Sequence, residues 1–323
     1  MGGAEDSLGG DDGGGARAAA PPGMTLRQLE LFCAVADHGS FAAAGQALYL
    51  TPNAVALAVT ELESHLGARL CVRRRARGVT LTPSGTRLVE RARTLLREAT
   101  ELQRELSGEP GELQGPVTVG CYSTLAPILA PPLLDEFAAQ NPRVELTCVD
   151  GPVPELLPRL QSGELDMLVA FETSLPADLE RRRLYDSTPV VLLPEGHPLA
   201  AGEAVELSVL ADHGLVLLDL PPYGENTLNV LRGAGVQPRV VHRTGNFELV
   251  RSLVARGVGY SLVYSRPAMA QSYEGRGVVA LPVRPAVEPT RVVVCWSPAM
   301  PLTERARAVT EFLARAAPNA PTP

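Results

Sequence analysis

Five arginines fall within nine residues of this 323-residue chain. They are Arg69, Arg73, Arg74, Arg75 and Arg77. Guanidinium groups form charge-assisted hydrogen bonds with phosphate oxygens, so a cluster of this kind could grip the backbone of a nucleic acid. A solvated loop is the alternative, and the elements around the cluster must decide between the two.

The distribution of charge favours the nucleic-acid interpretation. All 29 basic residues are arginine, which excludes chemistry that depends on a lysine, such as a Schiff base or a phosphate-loop lysine. Residues 24–107 hold eleven arginines and eight acids, whereas residues 108–323 hold seventeen arginines and twenty-four acids. A basic head on an acidic body is typical of a nucleic-acid-binding module joined to a small-molecule domain.

The five cysteines are scattered and show no C-x-x-C spacing. This pattern predicts a reduced, cytoplasmic protein without disulfides, zinc or another metal. Cys121 and Cys148 lie on predicted strands that could be neighbours, so a redox sensor is the alternative function. A buried cysteine on a strand is more often a small hydrophobic residue, and a reactive thiol needs exposure and a low pKa.

Other function classes find no support in the sequence. It contains no G-x-S-x-G, no H-E-x-x-H and no complete G-x-G-x-x-G after a strand, so no enzyme and no cofactor are expected. No apolar run approaches the roughly 18 residues of a membrane span. Residues 1–23 are rich in Gly and Asp and are expected to be a disordered tail rather than a signal peptide, which argues against a secreted solute-binding protein.

Three short helices with capping signals precede the arginine cluster. Thr25 and Gln28 form a capping box before the first helix. Ser40 can cap the second, and Thr51 the third, in which Pro52 takes the first helical position. This arrangement predicts a helix-turn-helix, and the short alternation at 79–81 after the arginines predicts a wing. The candidate DNA-contacting residues are Thr51, Pro52, Asn53, Leu57, Thr60, Arg73, Arg74, Arg75 and Arg77.

A longer helix follows Thr82-Pro83, and its apolar residues are spaced 4, 3, 4, 3, 4. This is an a/d heptad pattern, and we expect it to form a dimer seam rather than an ordinary core face. The seam residues with the largest side chains are Leu88, Leu95, Leu102 and Leu106.

The head resembles the DNA-binding domain of a LysR-type transcriptional regulator. The matching phrases are GSF before the second helix, TP opening the third, LE…LG…L closing it and G-V-x-L-T-x-x-G in the wing. The resemblance implies a homodimer, assembled into a tetramer, on an operator in double-stranded DNA, and RNA polymerase is a further candidate partner. The family usually has a polar triplet in the recognition helix where this chain has Ala56, Leu57 and Ala58, and Cys71 replaces a usual phenylalanine. Because these three side chains offer no hydrogen bonds to base edges, we predict weak direct readout there.

The body alternates predicted strands and helices, which indicates two doubly wound, parallel α/β lobes. PEGHPLA, SGELDMLVA and VARGVGYSLV resemble phrases of the same family's effector domain, which implies a small-molecule effector of unknown identity bound between the lobes. Ligands of open α/β sheets sit at the carboxyl ends of strands and near helix N-termini. The candidate effector-binding residues are Tyr122, Ser123, Thr124, Gly151, Pro152, Glu172, Tyr223, Asn246 and Phe247, of which Ser123 and Thr124 are the strongest.

The sequence therefore predicts a LysR-type, effector-responsive, DNA-binding regulator with a winged helix-turn-helix head and an α/β body. A redox-responsive regulator using Cys121 and Cys148 is the alternative. The expected divisions are a disordered tail at 1–23, the DNA-binding domain at 24–82, a dimerisation helix at 83–107, a hinge at 108–116, the effector-binding domain at 117–317 and a tail at 318–323. Within the effector-binding domain, lobe I comprises 117–186 and 291–317, and lobe II comprises 187–290.

Overall fold

The computed structural model describes residues 23–74, 78–107, 112–264 and 270–317. The chain divides into two compact units, a head unit ending at Ala92 and a body unit beginning at Arg93. The predicted tails at 1–23 and 318–323 and part of the predicted hinge lie outside the described residues. The division between the units falls within a single long helix, and the predicted domain boundaries stay predictions.

The head unit contains three short helices, a two-stranded antiparallel hairpin and the start of the long helix. The predicted capping box is confirmed, because the Thr25 side chain accepts from the Gln28 backbone N–H and the Gln28 side chain accepts from that of Thr25. Thr51 caps the third helix in the same way, on Ala54. The elements are α1 (Leu26–His38), α2 (Phe41–Ala47), α3 (Pro52–Leu66), β1 (Cys71–Arg74), β2 (Gly78–Leu81) and α4 (Pro83–Ser107).

The hairpin is fixed to the end of α1 by a close backbone approach. The Val79 N–H donates to the Gly39 carbonyl at 2.7 Å. Gly78 has φ +75°, and a Cβ atom there would lie 2.4 Å from the same carbonyl oxygen. Only glycine fits this position without strain, so the hairpin, which is the predicted wing, has a defined base on the helical core.

Lobe I of the body unit is built on a five-stranded mixed sheet of order β4–β3–β5–β13–β6. Its first three strands in sequence are parallel, as predicted, whereas β13 is antiparallel to both β5 and β6, so the sheet is mixed rather than parallel throughout. The predicted return of the last strand to lobe I is confirmed. The strands are β3 (Gly115–Tyr122), β4 (Val144–Gly151), β5 (Met167–Phe171), β6 (Glu180–Ser187) and β13 (Thr290–Trp296).

Lobe II has a four-stranded sheet of order β11–β7–β12–β8 and a two-stranded parallel sheet of β9 and β10. In the larger sheet, β7 is antiparallel to both of its neighbours. The two α/β lobes of the prediction are confirmed in this mixed form. The strands are β7 (Val190–Pro194), β8 (Val205–Glu206), β9 (Gly214–Leu218), β10 (Arg239–Thr244), β11 (Ser261–Val263) and β12 (Val278–Arg284).

Helices cover the sheets of both lobes. In lobe I, one helical stretch runs from α5 through a π-helical turn at Leu133–Phe137 into α6. The turn comes directly after Pro131 and Pro132, which lack the N–H groups that a regular helix would use. The helices of the body are α5 (Ala126–Pro132), α6 (Ala138–Gln140), α7 (Val153–Gln161), α8 (Tyr223–Gly233), α9 (Phe247–Ala255) and α10 (Glu304–Ala316). Within the described residues, no helix has the length and apolar character needed to cross a membrane.

Candidate DNA-binding surface and effector cavity

Helix α3 has one buried and one exposed face. Val55, Val59 and Leu62 pack into the head core, each at most 2% exposed. The predicted DNA-contacting residues Thr51, Pro52, Asn53, Leu57 and Thr60 are all exposed. Their spacing gives α3 an outward face of the kind that a recognition helix presents to the major groove.

The polar atoms on this outward face are few. Leu57 is 62% exposed and offers methyl groups alone. The Thr60 hydroxyl donates to the Ala56 carbonyl at 2.8 Å, so its proton is already used within the helix. Among the described residues, the Asn53 carboxamide has no hydrogen-bond partner, and it lies in the first turn of the helix. Asn53 is therefore the side chain of α3 best placed to read a base edge.

The base of the wing is fastened to α3 by Glu63. Its carboxylate accepts from the backbone N–H groups of Leu70 and Cys71 at 2.7 and 3.2 Å. The Arg69 guanidinium is 3.9 Å from the same carboxylate and its side chain is 85% exposed. The predicted phosphate contacts Arg75 and Arg77 lie outside the described residues, as do the side chains of Arg73 and Arg74 on β1.

Helix α4 has one face ion-paired to lobe I and another that carries exposed leucines. On one face, Arg97 lies 3.5 Å from Asp166, and Glu101 receives two 2.6 Å hydrogen bonds from Arg305, so this part of the helix is ion-paired to lobe I. Leu95 and Leu102 lie about 150° around the helix from Arg97, at 100° per residue. Their side chains are 41% and 57% exposed, so the helix presents two leucines to solvent, seven residues apart.

The other two predicted seam residues are less informative. Leu88 is half-buried, and the Leu106 side chain lies outside the described residues. Among the described residues, Leu95 and Leu102 are therefore the two predicted seam residues whose side chains are exposed, and the seam stays a prediction. An apolar pair at heptad spacing is suited to meeting the same pair on a second helix.

A cavity of about 320 Å³ lies between the two lobes. Tyr122 and Phe171, at the ends of β3 and β5, come from lobe I, and Tyr223 and Tyr264 come from lobe II. Their ring centroids are 5.5–6.2 Å apart in four pairs, with edge-to-face or tilted geometry. The full lining is Tyr122, Phe171, Thr173, Ser174, Pro222, Tyr223, Asn226, Asn229, Val230, Tyr264, Val287, Glu288, Pro289 and Thr290.

Hydrogen bonds of the aromatic residues link the two lobes and also tie the lobe II rings to each other. The Tyr122 hydroxyl donates to the Leu220 carbonyl at 3.3 Å, and the Tyr264 N–H donates to the Tyr223 hydroxyl. The Ser187 hydroxyl donates to the Tyr264 carbonyl at 2.5 Å. Burial raises the pKa of Tyr122 and of Tyr264, so both phenols stay protonated at neutral pH.

Two of the nine predicted effector-binding residues, Tyr122 and Tyr223, line this cavity. Glu172 instead forms ion pairs with Arg181 and Arg291, at 3.6 and 3.3 Å. Asn246 caps α9 by accepting from two backbone N–H groups.

The other predicted effector-binding residues lie elsewhere in the fold. Phe247 packs against the core, and the Thr124 hydroxyl is buried without a partner among the described residues. The Ser123 N–H donates to the Gly151 carbonyl, and Pro152 precedes α7. The roles predicted for all nine residues stay predictions.

Comparison with known proteins agrees with both halves of this description. Residues 26–86 match the family "Bacterial regulatory helix-turn-helix protein, lysR family", and residues 110–318 match the "LysR substrate binding domain". The chain belongs to the LysR family of transcriptional regulators. LysR regulators bind DNA and form oligomers, as predicted.

The similarity to individual relatives and solved structures extends over nearly the whole chain. Two Escherichia coli proteins, "DNA-binding transcriptional dual regulator OxyR" and "Hydrogen peroxide-inducible genes activator", are each 30% identical over 296 residues, covering 90% of this chain and 95% of their own. The crystal structure of HinK, a LysR family transcriptional regulator from Pseudomonas aeruginosa, is 31% identical, with a TM-score of 0.61. It covers 90% of this chain and 98% of its own.

The sparse polar groups of α3 in this LysR regulator lead to a prediction about readout. Asn53→Ala is expected to weaken discrimination between operator variants at its own base by about 1–3 kcal/mol. Leu57→Arg is expected to raise affinity for all sequences and to steepen the salt dependence by about one unit of slope. Binding to single-base operator variants, measured over a range of salt concentrations, tests both.

Ser64→Ala, at the exposed C-terminal end of the same helix, is the control and should bind as the unmodified protein does. Strong rejection of every single-base variant throughout the α3 footprint, with no loss in Asn53→Ala, would show that the readout lies elsewhere.

Proposed function

We propose that a small organic molecule, bound in the cavity between the lobes, changes how this LysR regulator binds its operator. The observation that carries the proposal is the origin of the lining, since aromatic rings from both lobes meet around one space. A molecule bound there contacts both lobes at once. It therefore binds one arrangement of the lobes better than another, which is the condition for a ligand to shift a conformational equilibrium.

A route from the cavity to the DNA-binding head is available through lobe I. The C-terminal half of α4 is held to this lobe by the Arg97–Asp166 and Arg305–Glu101 ion pairs. Arg305 also donates to the Pro116 carbonyl at 2.9 Å, at the start of β3, and β3 ends at Tyr122 in the cavity. A displacement of β3 by the ligand would be transmitted to α4, which is continuous with the head unit.

Filling the cavity tests this function. Asn229 lines the cavity and is exposed, so Asn229→Trp is expected to occupy the cavity without disturbing the core. The footprint on the regulator's own upstream DNA, measured with and without a low-molecular-mass extract of host cells, should change with extract for the unmodified protein. The Asn229→Trp variant should bind DNA equally well and show no change, because its site is blocked.

The matched control is Glu225→Trp, which places the same ring on an exposed position of α8 outside the cavity. It should respond as the unmodified protein does. A full response by Asn229→Trp would show that the effector binds elsewhere, and no response by any variant would contradict regulation by a small molecule.

Redox sensing is the second candidate, because one relative is named as a hydrogen peroxide-inducible activator. Cys121 and Cys148 do lie on neighbouring strands, but Cys148 is opposite Val119, two residues from Cys121. The diagonal Cα separation is then about 8 Å, from strand spacing and rise, whereas disulfides need about 4.4–6.8 Å. Burial raises the pKa of both thiols, and that of Cys121 well above its usual value, so neither is a ready thiolate. The geometry favours the small-molecule function.

A further inference from the structure

We infer that the molecule recognised by the aromatic cavity is an organic cation, an amine attached to a compact apolar body. The inference rests on the proposed function and adds the chemical class of the effector. It is carried by three properties of the lining, namely its aromatic content, its charge and its free polar atoms.

The aromatic content is far above that of the chain. The whole protein has fourteen aromatic residues (seven Tyr, six Phe and one Trp), and four of them line this one cavity. Aromatic faces carry negative electrostatic potential and attract cations placed over them, more strongly where the site excludes water. The four rings meet one another around this cavity at mutual angles of 55–84°.

Among the described residues, the charge of the lining is unfavourable for an anion. Among the fourteen described lining residues, the one charged side chain is Glu288, a carboxylate. The nearby arginines Arg181 and Arg291 are both paired with Glu172, which does not line the cavity. A bound carboxylate would lose its hydration without gaining a cation in return, and it would face Glu288 as well. An ammonium group gains the Glu288 carboxylate as a partner.

The free polar atoms of the lining include acceptors that an ammonium group can use. Among the described residues, the carboxamides of Asn226 and Asn229 have no hydrogen-bond partner, and the Thr290 hydroxyl is buried without one. The amide and hydroxyl oxygens can accept hydrogen bonds. An ammonium group has up to three N–H donors and no acceptor, so these oxygens match its needs.

The volume limits the size of the apolar body. A cavity of 320 Å³ equals the volume that about ten waters occupy in the liquid. One aromatic or aliphatic ring with a short aminoalkyl chain fits this space. The expected ligand is therefore a small monoamine with a single ring.

Three probes with the same ring and chain length isolate the contribution of charge. Isothermal titration of the full-length protein with 2-phenylethylamine, 2-phenylethanol and phenylacetate compares a cation, a neutral molecule and an anion. We expect the amine to bind most tightly, the alcohol roughly tenfold more weakly, which is about 1.4 kcal/mol, and phenylacetate to show no saturable binding. Asn229→Trp should abolish binding of the amine and of the alcohol.

Glu288→Gln should remove most of the difference between the amine and the alcohol while leaving the alcohol's affinity unchanged. Glu225→Gln, on an exposed position outside the cavity, is the matched control and should keep the full difference. Phenylacetate binding as tightly as the amine and lost in Asn229→Trp would overturn the inferred class, and the same holds for an amine preference that survives Glu288→Gln undiminished.

The host-cell extract, separated by ion exchange into cationic, neutral and anionic fractions, distinguishes this inference from the function on which it rests. A change of footprint with the cationic fraction alone supports both. A change with the neutral or anionic fraction, blocked by Asn229→Trp, overturns the inferred class and leaves the proposed function standing. No change with any fraction overturns the proposed function itself.

Discussion

Aspartate at both Leu95 and Leu102 is expected to convert this LysR regulator into a monomer at concentrations where the unmodified protein is a dimer. The two leucines are exposed on the face of α4 that points away from its ion pairs with lobe I. Burying one leucine contributes about 1.5–3 kcal/mol, and a symmetric seam buries four. Their loss, together with four buried charges, should raise the dimer dissociation constant at least about a thousandfold, or about 4 kcal/mol.

Sedimentation over a concentration series measures this effect, with circular dichroism to show that the helices remain. Thr86→Asp combined with Thr100→Asp is the matched control, because it adds the same charges to exposed positions about 140–180° from Leu95, at 3.6 residues per turn. The control should dimerise normally. Undiminished dimerisation of the Leu95 and Leu102 variant would mean that α4 is not the seam.

Removing the Arg305 guanidinium is expected to destabilise the body unit by about 3–5 kcal/mol, the usual effect of breaking one side of a buried ion pair. Arg305 is 5% exposed. Its guanidinium donates two 2.6 Å hydrogen bonds to the Glu101 carboxylate and one of 2.9 Å to the Pro116 carbonyl. In Arg305→Met, which conserves most of the apolar volume, Glu101 and the nearby Asp166 would remain as like charges. Urea unfolding followed by the fluorescence of Trp296, the single tryptophan, measures the change.

The loss should depend on pH, through Asp166. Burial raises the pKa of Asp166, while a 2.8 Å hydrogen bond from the Thr118 N–H and the guanidinium groups of Arg97 and Arg305 lower it. A carboxyl whose pKa is raised by folding favours the folded state below its unfolded pKa, about 3.9, and loses that contribution as pH rises through the folded pKa.

Without the Arg305 guanidinium, the pKa of Asp166 in the folded state rises further. Protonation of Asp166 at low pH then relieves the repulsion between the two carboxylates, so Arg305→Met should destabilise the body unit less at pH 5 than at pH 8. Adding Glu101→Gln to Arg305→Met should restore part of the stability, since it removes one of the two like charges. An equal loss at both pH values would show that the charge of Asp166 is not involved.

Local signals in the sequence were sufficient for the elements whose boundaries depend on short-range chemistry. The side chains of Thr25, Gln28 and Thr51 determine where helices begin, and each makes the predicted bond. Strand β6 was missed, because its sequence ERRRLYDS has no apolar alternation. Its exposed edge position does not require one, and pairing with β13 across a long separation supplies the order that local propensity lacks.

The cavity was predicted in part, for a similar reason. The rule that ligands lie at strand ends selects Tyr122, which lines the cavity. At the end of β5 the same rule selects Glu172, whereas the lining residue is its neighbour Phe171. Tyr264, directly after β11, carries the same signal and could have been found. Residues 287–290 line the cavity at the start of β13, and the rule does not select them, because it considers the ends of strands rather than their beginnings.

Strand β6 has a consequence for the behaviour of the protein at high concentration. It is the outer strand of the lobe I sheet, and it carries Arg181, Arg182 and Arg183 in succession. An open strand edge can template intermolecular β-pairing, and charged side chains are the usual protection against it. Arg181 and Arg183 are paired with Glu172 and Asp186, so the charge that opposes the approach of two such edges is mainly that of Arg182, and high ionic strength would screen it.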